Sequence, residues 1–579
     1  MAGPKDRKGQ VKNMKKRTIA LILSLVLAFS AAGCSRDKGA ADGNYMTSAT
    51  NNSTTQGRDY YKDVEVKSDE TSRYSESIMM DVAKGEDYKM SLGGQQILNM
   101  DVAADYGQQI EWNTEEYKHI DENGWKSVSV SPFSTFAADV DTASYANLRR
   151  MINYNQRIPE DAVRIEELIN YFSYDYAAPA NNDPFSITTE MAPCPWNEKT
   201  QLLMVGIKAK NIDMSQRKPS NLVFLVDVSG SMEGEDRLGL VQSSFKMLSE
   251  ELGQSDRISL VTYASGDRVV FEGLSGANKK EITQYVEDLF AGGGTNGSAG
   301  ITTAYEIAEK YFIEGGNNRI ILATDGDLNI GVTDEGSLTN LVKEKAKSGV
   351  FLSVLGFGWG NLSDSRMEAL ADNGNGNYNY IDSLTEAKKV LIDEMGGTLF
   401  TVAKDVKLQL EFNPLQVKGY RLIGYENRTM AAEDFNDDKK DGGEIGAGHT
   451  VTALYEIALK DSEQEIPEVE SKYSAKAGAG SADDTIGSEY LTVNIRYKEP
   501  DGDKSTLLSR AVDAENVKDA MSENLSWAAG VAQAGMLIRK SEYAGTSTMD
   551  SVIERLSALD VVKTDEYRSE FIELMKKIK

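Results

Sequence analysis

From Asn221 to about Leu399 the chain alternates short, continuous apolar runs with stretches of helical spacing. NLVFLVD (221–227), RIILATD (319–325) and VFLSVLGFG (350–358) lack a polar face and read as strands buried on both sides, as parallel sheets require. Between them Leu238, Val241, Phe245, Leu248 and Leu252 share one helical face, and further helices are expected over 277–289, 299–312, 337–347, 365–372 and 384–396. RISLVTY (257–263) and RVVFEGL (268–274) read as a strand pair that includes an antiparallel edge, and YNYID (378–382) as one more strand. This βαβ alternation predicts an α/β fold over 219–400: a Rossmann-like, doubly wound domain whose central, mostly parallel sheet has helices on both faces.

The flanks follow another rhythm. Upstream, FSTFAADV (133–140), FSITTEMAP (185–193) and TQLLMVGIKAK (200–210) read as strands, and 141–159 and 160–176 as amphipathic helices, giving an α+β segment over 129–218. Downstream, VAKDVKLQLEFN (402–413), YRLIGYE (420–426), TVTALYEIAL (450–459) and EYLTVNIRYKE (489–499) have period two. Residues 512–538 and 548–577 read as helices and AKAGAGSADD, from 475, as a loop, completing a C-terminal α+β domain over 401–579. The strands over 185–210 and those over 402–498 are expected to pair into one β-sandwich, with the Rossmann-like domain inserted between them.

The first 33 residues belong to no domain. A basic cluster (Lys15, Lys16, Arg17) precedes an apolar run from Ile19 to Phe29, too short for a membrane span but suited to a signal peptide. Ala31, Ala32 and Gly33 then lead into Cys34, which resembles a bacterial lipobox; Ala31 stands where Leu is commoner. That resemblance implies lipidation of Cys34 and a chain anchored on the extracytoplasmic face of the cell membrane. Met14 makes a more typical signal start than Met1. Residues 34–128, rich at first in Ser, Thr, Asn, Asp and Gly, read as a disordered or weakly structured tether.

Composition narrows the chemistry. The formal charge is −27, and removing residues 1–33, with seven Lys or Arg and one Asp, takes it to −33. Such a balance excludes a nucleic-acid partner, whose phosphates would be repelled. Two cysteines and two histidines exclude a disulfide framework and a Cys/His zinc cluster. Neither histidine sits in a nucleophile motif.

At the carboxyl end of the first buried strand sits Asp227-Val228-Ser229-Gly230-Ser231, where open α/β sheets bind ligands. GGGTNG places Thr295 in a glycine-rich loop before a helix, and ATDGD places Asp325 at the end of another buried strand. This D-x-S-x-S, Thr, Asp series resembles the von Willebrand factor A (VWA) family and its metal-ion-dependent adhesion site. The resemblance implies hydroxyl ligation by Ser229, Ser231 and Thr295, with Asp227 and Asp325 binding through or holding water. It also implies a vacant coordination position that an acidic side chain of a partner protein fills. The residue chemistry agrees: an all-oxygen set with two carboxylates suits Mg²⁺, with Mn²⁺ or Ca²⁺ as alternatives, and not zinc. Asp327 and Asn329 are expected to shape the loop.

DVDTASYANLRR, VRIEELINYF, TDGDLNIGV, GNGNYNYID and EDFNDDKKDGGEIGAGHTVTALYE are similar to a narrower group, bacterial lipoproteins in which a VWA domain lies between an N-terminal segment and a C-terminal domain of uncharacterised role. The expectation is a binding or adhesion protein and not an enzyme. Two readings stand against it: a metal-dependent, phosphatase-like hydrolase using Asp227 as nucleophile, and a scaffold with a vestigial metal site. Asp139-Val140-Asp141-Thr142-Ala143 mimics a dehalogenase-type phosphatase loop but has Ala143 at its fifth position, so Asp141 or Thr142 is read as a helix cap. Asp434, Asn436 and Asp438 mimic an EF-hand, yet Lys439 replaces its Gly and Ile445 its Glu, which leaves a solvated acidic turn. Cys194 reads as a lone thiol, His119 as exposed and His449 as structural.

Overall fold

The computed structural model describes residues 114–578, apart from 139–140, 181–182, 214–216, 327–334, 441, 468–485, 501 and 503. Its centre is a six-stranded sheet: β1 (Ser220–Asp227), β2 (Arg257–Tyr263), β3 (Asp267–Ser275), β4 (Asn317–Thr324), β5 (Phe351–Gly356) and β6 (Tyr378–Tyr380). The spatial order is β6-β5-β4-β1-β2-β3, and every pairing is parallel except that of the edge strand β3. The expected antiparallel edge is therefore present. The apolar runs are continuous because alternate residues serve two cores. Val223 and Leu225 of β1 pack with Ile301, Ala304 and Tyr305 of helix α3 (Gly297–Lys310). Leu222, Phe224 and Val226 pack with Val241, Phe245 and Leu248 of α1 (Leu238–Glu251) and Ile282 and Val286 of α2 (Lys279–Glu287). Helices α4 (Glu335–Ala346) and α5 (Asp364–Asn373) complete the α3 face.

The flanking segments are interwoven and do not form separate units. One antiparallel sheet runs in the order Lys126–Ser127, Val417–Ile423, Thr450–Leu459, Gln201–Ala209, Phe185–Pro193. A second runs Thr429–Met430, Phe133–Ala137, Thr401–Phe412, Leu491–Lys498, Ser505–Val512, with Gly443–Gly446 also paired to Thr401–Phe412. Both sheets share one core, in which Phe136, Leu203, Leu408, Tyr455 and Val493 are buried. The expected sandwich exists, and the α/β domain is inserted between Gln201–Ala209 and Thr401–Phe412. A helical layer covers the outer face of the first sheet: Ala143–Asn153, Ile165–Asn170, Glu523–Arg539 and Glu566–Ile578 meet around the fully buried Trp527.

Four expectations need correction. Residues 114–128 are not tether, because Lys126 and Ser127 pair with Tyr420 and Gly419 and the Thr114 N–H donates to the Gly360 carbonyl. The helix expected over 512–538 occupies Glu523–Arg539, and the unexpected edge strand Ser505–Val512 precedes it. That strand escapes detection because half of its side chains are exposed, Leu507 among them, and only Val512 is fully buried, so burial imposes no apolar alternation. The helix expected over 548–577 is broken into Met549–Ser557 and Glu566–Ile578 by a short 3₁₀ turn at Asp560–Lys563. The segment expected as one helix over 384–396 is α-helical only to Lys388, continues as a π-turn through Asp393 and resumes at Met395.

Buried ion pairs fasten the inserted domain to its flanks. Arg164 reaches Asp364 at 2.6 Å and Glu368 at 3.3 Å on α5, and Arg428 reaches Glu368 at 2.7 Å and Asp372 at 2.6 Å. Arg149 binds Asp382 and Glu386. Burial pushes the Asp364 carboxyl up to about 7 against the opposing pull of Arg164. Removing one partner of such a cluster leaves carboxylates desolvated and unpaired, at a typical cost of about 3–5 kcal/mol. Arg164→Ala is accordingly expected to lower the denaturation midpoint sharply. The deficit should widen as pH rises through 7, where the wild-type Asp364 ionises beside Arg164 while the variant's carboxyl, without that pull, is held in its protonated form. A small, pH-independent change in urea melts would contradict this account.

Candidate functional site

Two adjacent parallel strands deliver the two acidic residues to one rim. Val226 of β1 lies opposite Ala323 of β4, which sets Asp227 beside Thr324 with Asp325 one residue further on, and both carboxylates are fully buried. Asp227 is held at both oxygens. Its Oδ1 accepts the Ser229 N–H at 2.9 Å, and its Oδ2 accepts the Thr324 hydroxyl at 3.2 Å. The Thr324 Oγ1 in turn accepts the Gly326 N–H at 3.1 Å, which ties the second acidic turn to the first carboxylate. After Asp227 the chain makes a single 3₁₀ turn, Gly230–Met232, and the Ser229 and Ser231 Oγ atoms stand 3.0 Å apart.

The third turn is stitched to the first. The Gly230 N–H donates to the Gly293 carbonyl at 3.0 Å, and the Gly292 N–H donates to the Val228 carbonyl at 2.8 Å. Ser265, beyond β2, accepts the Gly294 N–H at 2.8 Å. Gly293 has φ +92°, and a Cβ there would come within 2.9 Å of the Ser265 Oγ, so this crossing requires glycine. Thr295 follows directly, 6% exposed, just before α3.

Burial, followed by the neighbouring Asp325 charge, pushes the Asp227 carboxyl up to about 7. The Tyr263 hydroxyl, buried beside it, is pushed well above its usual value by burial and then by Asp227. Asp325 Oδ2 accepts the Asn361 amide at 3.0 Å, while the Asn361 Oδ1 is buried with no protein donor. Such an orphaned acceptor beside two crowded carboxylates suits water held on a cation. The donor set fits a hard divalent ion: carboxylate and hydroxyl oxygens only, with no nitrogen or sulfur. Among the described residues no three or more His, Cys, Asp or Glu side chains converge as a metal cluster, so any ion at this rim would rely on serine and threonine oxygens.

The five residues singled out from the sequence thus sit on three turns at one sheet edge, the first hydrogen-bonded to each of the others. Cys34, Asp139, Val140, Asp327 and Asn329 lie outside the described residues. Thr142 occupies the cap position of Ala143–Asn153 without capping it: its hydroxyl donates to Asn379, and Asp141 accepts the Tyr378 N–H. The acidic turn near Asp438 is bound by Arg496 and Ser505. Cys194 is buried and free, its thiol pushed up to about 12 by burial. His119 is exposed beside Asp161, and His449 packs against Gly397.

Sequence reasoning missed Thr324, Ser265 and Asn361. The signal for Asn361 was present. FGWGNLS follows the buried strand β5, and the rule that ligands gather beyond strand carboxyl ends applies to that loop as well.

The von Willebrand factor type A domain family matches residues 221–393, a von Willebrand factor family matches 111–204, and the C-terminal family of the uncharacterized protein YfbK matches 397–579. The chain is 43% identical to the uncharacterized protein YfbK of Escherichia coli (strain K12) over 469 residues, 80% of each chain. It is 31% identical to the uncharacterized protein sll0103 of Synechocystis over 32% of this chain and 43% of that one. It is 32% identical to human inter-alpha-trypsin inhibitor heavy chain H4 over 27% of this chain but only 18% of that protein. Among solved structures, a von Willebrand factor type A protein from Catenulispora acidiphila aligns over 70% of this chain and 91% of its own, at 15% identity and a TM-score of 0.38. The identity shared with YfbK along both flanks and the α/β insert establishes that this chain belongs to the YfbK family of VWA-domain proteins.

Proposed function

We propose that the protein is a membrane-anchored, extracytoplasmic binding protein. In this reading its VWA domain holds one divalent cation, Mg²⁺ by preference, through Asp227, Ser229, Ser231, Thr295 and Asp325, and grips a partner protein through an acidic side chain that completes the ion's coordination. The observation that carries the reading is the pairing of two fully buried carboxylates with two serine hydroxyls 3.0 Å apart on hydrogen-bonded turns. A cation offsets the burial and the Asp325 charge that together raise the Asp227 carboxyl. The cation's role is to supply a Lewis-acidic site for an oxygen ligand. The chain's own residues fix the oxygens and exclude water from one side.

Binding is favoured over hydrolysis by the same geometry. Asp227 has both oxygens engaged and no exposure, which suits a nucleophile poorly. The two histidines, the usual proton carriers, lie at Asp161 and Gly397. The anchor rests on the lipobox-like segment at Cys34 and is an independent part of the proposal.

Titration calorimetry of the full chain with Mg²⁺ or Mn²⁺ is expected to give one site, with affinity falling about tenfold or more in Ser229→Ala and vanishing in Asp227→Asn. Equal heats in all three proteins would remove the metal from the reading.

The acid–base linkage has a definite sign. Asp227 ionises at about 7 in the folded, metal-free chain and near its ordinary carboxylate value when unfolded. Its stability contribution is therefore present at low pH and lost as pH rises through 7. In chelator, Asp227→Asn is expected to stabilise the chain at pH 8 by up to about 4 kcal/mol and to do little below pH 4. The wild-type thermal gain from Mg²⁺ should be larger at pH 8 than at pH 5.5, because protons compete with the ion. A cation gain that shrinks at high pH would contradict the assignment.

For the anchor, Cys34→Ser is expected to move the protein from the membrane fraction to the soluble one. Unchanged fractionation would disprove lipidation while leaving the metal site standing.

A further inference from the structure

We infer that the segment 114–117 is a positioning strap for the cation site, acting on Asp325 through the loop 357–363. This rests on the metal-site reading for its consequence, though not for its geometry.

The loop braces Asp325 in two ways. Asn361 donates to the Asp325 Oδ2 at 3.0 Å. The following residue, Gly326, lies flat against the loop at φ +93°, and a Cβ there would come within 2.8 Å of the Ser363 nitrogen. The Asp325 turn and the loop backbone are thus in van der Waals contact, and a shift of one is transmitted to the other.

The loop is in turn held by the strap. The Thr114 and Glu116 N–H groups donate to the Gly360 and Leu362 carbonyls at 2.7 and 3.0 Å, and Glu116 bridges Ser363 in parallel register. The intervening Glu115 turns inward. Its Oε1 accepts the Gly360 N–H at 2.9 Å and pairs with the Arg150 Nη1 at 3.0 Å, with both side chains only 2–3% exposed. Tyr117 donates to the other oxygen at 3.2 Å. Arg150 belongs to the helix Ala143–Asn153 of the flanking layer. A continuous set of contacts therefore runs from that helix through Glu115 and the Gly360 backbone to Asn361 and Asp325.

Strap docking and cation binding then share one free energy. A docked strap pre-organises Asp325, and an ion on Asp325 favours the docked strap by the same factor. Glu115 and Asn361 are positioning residues, because neither belongs to the proposed ligand set.

The test compares the full wild-type chain with Glu115→Ala, Asn361→Ala, the double variant and Glu116→Pro. The last removes one strap N–H at an exposed side chain and leaves Glu115 with Arg150. Two readouts are taken: amide exchange at Asp325 and Gly326 in chelator, and Mn²⁺ affinity. Each single variant is expected to speed exchange at 325–326 while leaving the helix Glu523–Arg539 protected, and to weaken Mn²⁺ binding about tenfold. The double variant should lose less than the sum of Glu115→Ala and Asn361→Ala, since Asn361 is one of the two contacts through which the strap acts. Fully additive losses, or unchanged exchange at 325–326 when the strap is released, would overturn the inference. If Glu115→Ala unfolds, Glu116→Pro decides by the same two readouts. If the wild-type chain takes up no Mn²⁺, the metal reading fails and the exchange comparison alone decides the strap.

Discussion

The feature on which the candidate site depends is the forced proximity of two carboxylates at the rim of a parallel sheet. The β1–β4 register brings Asp227 and Asp325 to the same rim, because Asp227 ends β1 and Asp325 is the first residue after β4, two strands buried on both faces. The fold meets the resulting repulsion locally, with the Thr324 hydroxyl and the Ser229 amide on Asp227 and the Asn361 amide on Asp325. These neutral donors reduce the desolvation cost but do not cancel charge, which is why the Asp227 carboxyl stays well above its usual range. A doubly charged ion would cancel what dipoles leave over.

The same logic of buried charge governs how the inserted domain is held. Arg149, Arg164 and Arg428 come from the flanks and meet carboxylates on α5 and at Asp382 and Glu386 of the insert. Apolar contacts alone would let helices of the insert slide against the helical layer. Charged hydrogen bonds have preferred directions and a high cost when broken, so they fix orientation more than they add stability. An insertion joined at two points to a sandwich, and locked by such pairs, presents its site rim at a defined attitude to the rest of the chain.

The central domain was legible in the sequence because its strands are buried on both faces and its helices carry one apolar stripe each, both of which burial writes into the residue order. The candidate site could be singled out because D-x-S-x-S and Asp325 fall at the carboxyl ends of buried strands and Thr295 in a glycine-rich loop before a helix. The sandwich was legible only as two groups of alternating strands; the pairing of Phe133–Ala137 with Thr401–Phe412 joins residues more than 250 positions apart and leaves no local trace. The edge strand Ser505–Val512 was missed because half of its side chains are exposed and only Val512 is fully buried, so burial imposes no apolar alternation. Residues 114–128 were misread because a segment held mainly by backbone hydrogen bonds and one buried glutamate needs no apolar pattern.

That last failure bears on how the site would be controlled. The strap is attached by two backbone amides and one buried carboxylate, so its docking rests on a handful of polar contacts, unlike the core strands it lies beside. Elements that switch are drawn from this end of the stability range, whereas the β1–β4 pair, buried on both faces, supplies the fixed frame. Both carboxylates stand at the ends of strongly held strands and the strap bears only on the turn after Asp325, so the site divides into a rigid frame and one turn whose placement depends on the strap. A ligand set split in that way can bind firmly while its affinity remains open to adjustment from the N-terminal side of the chain.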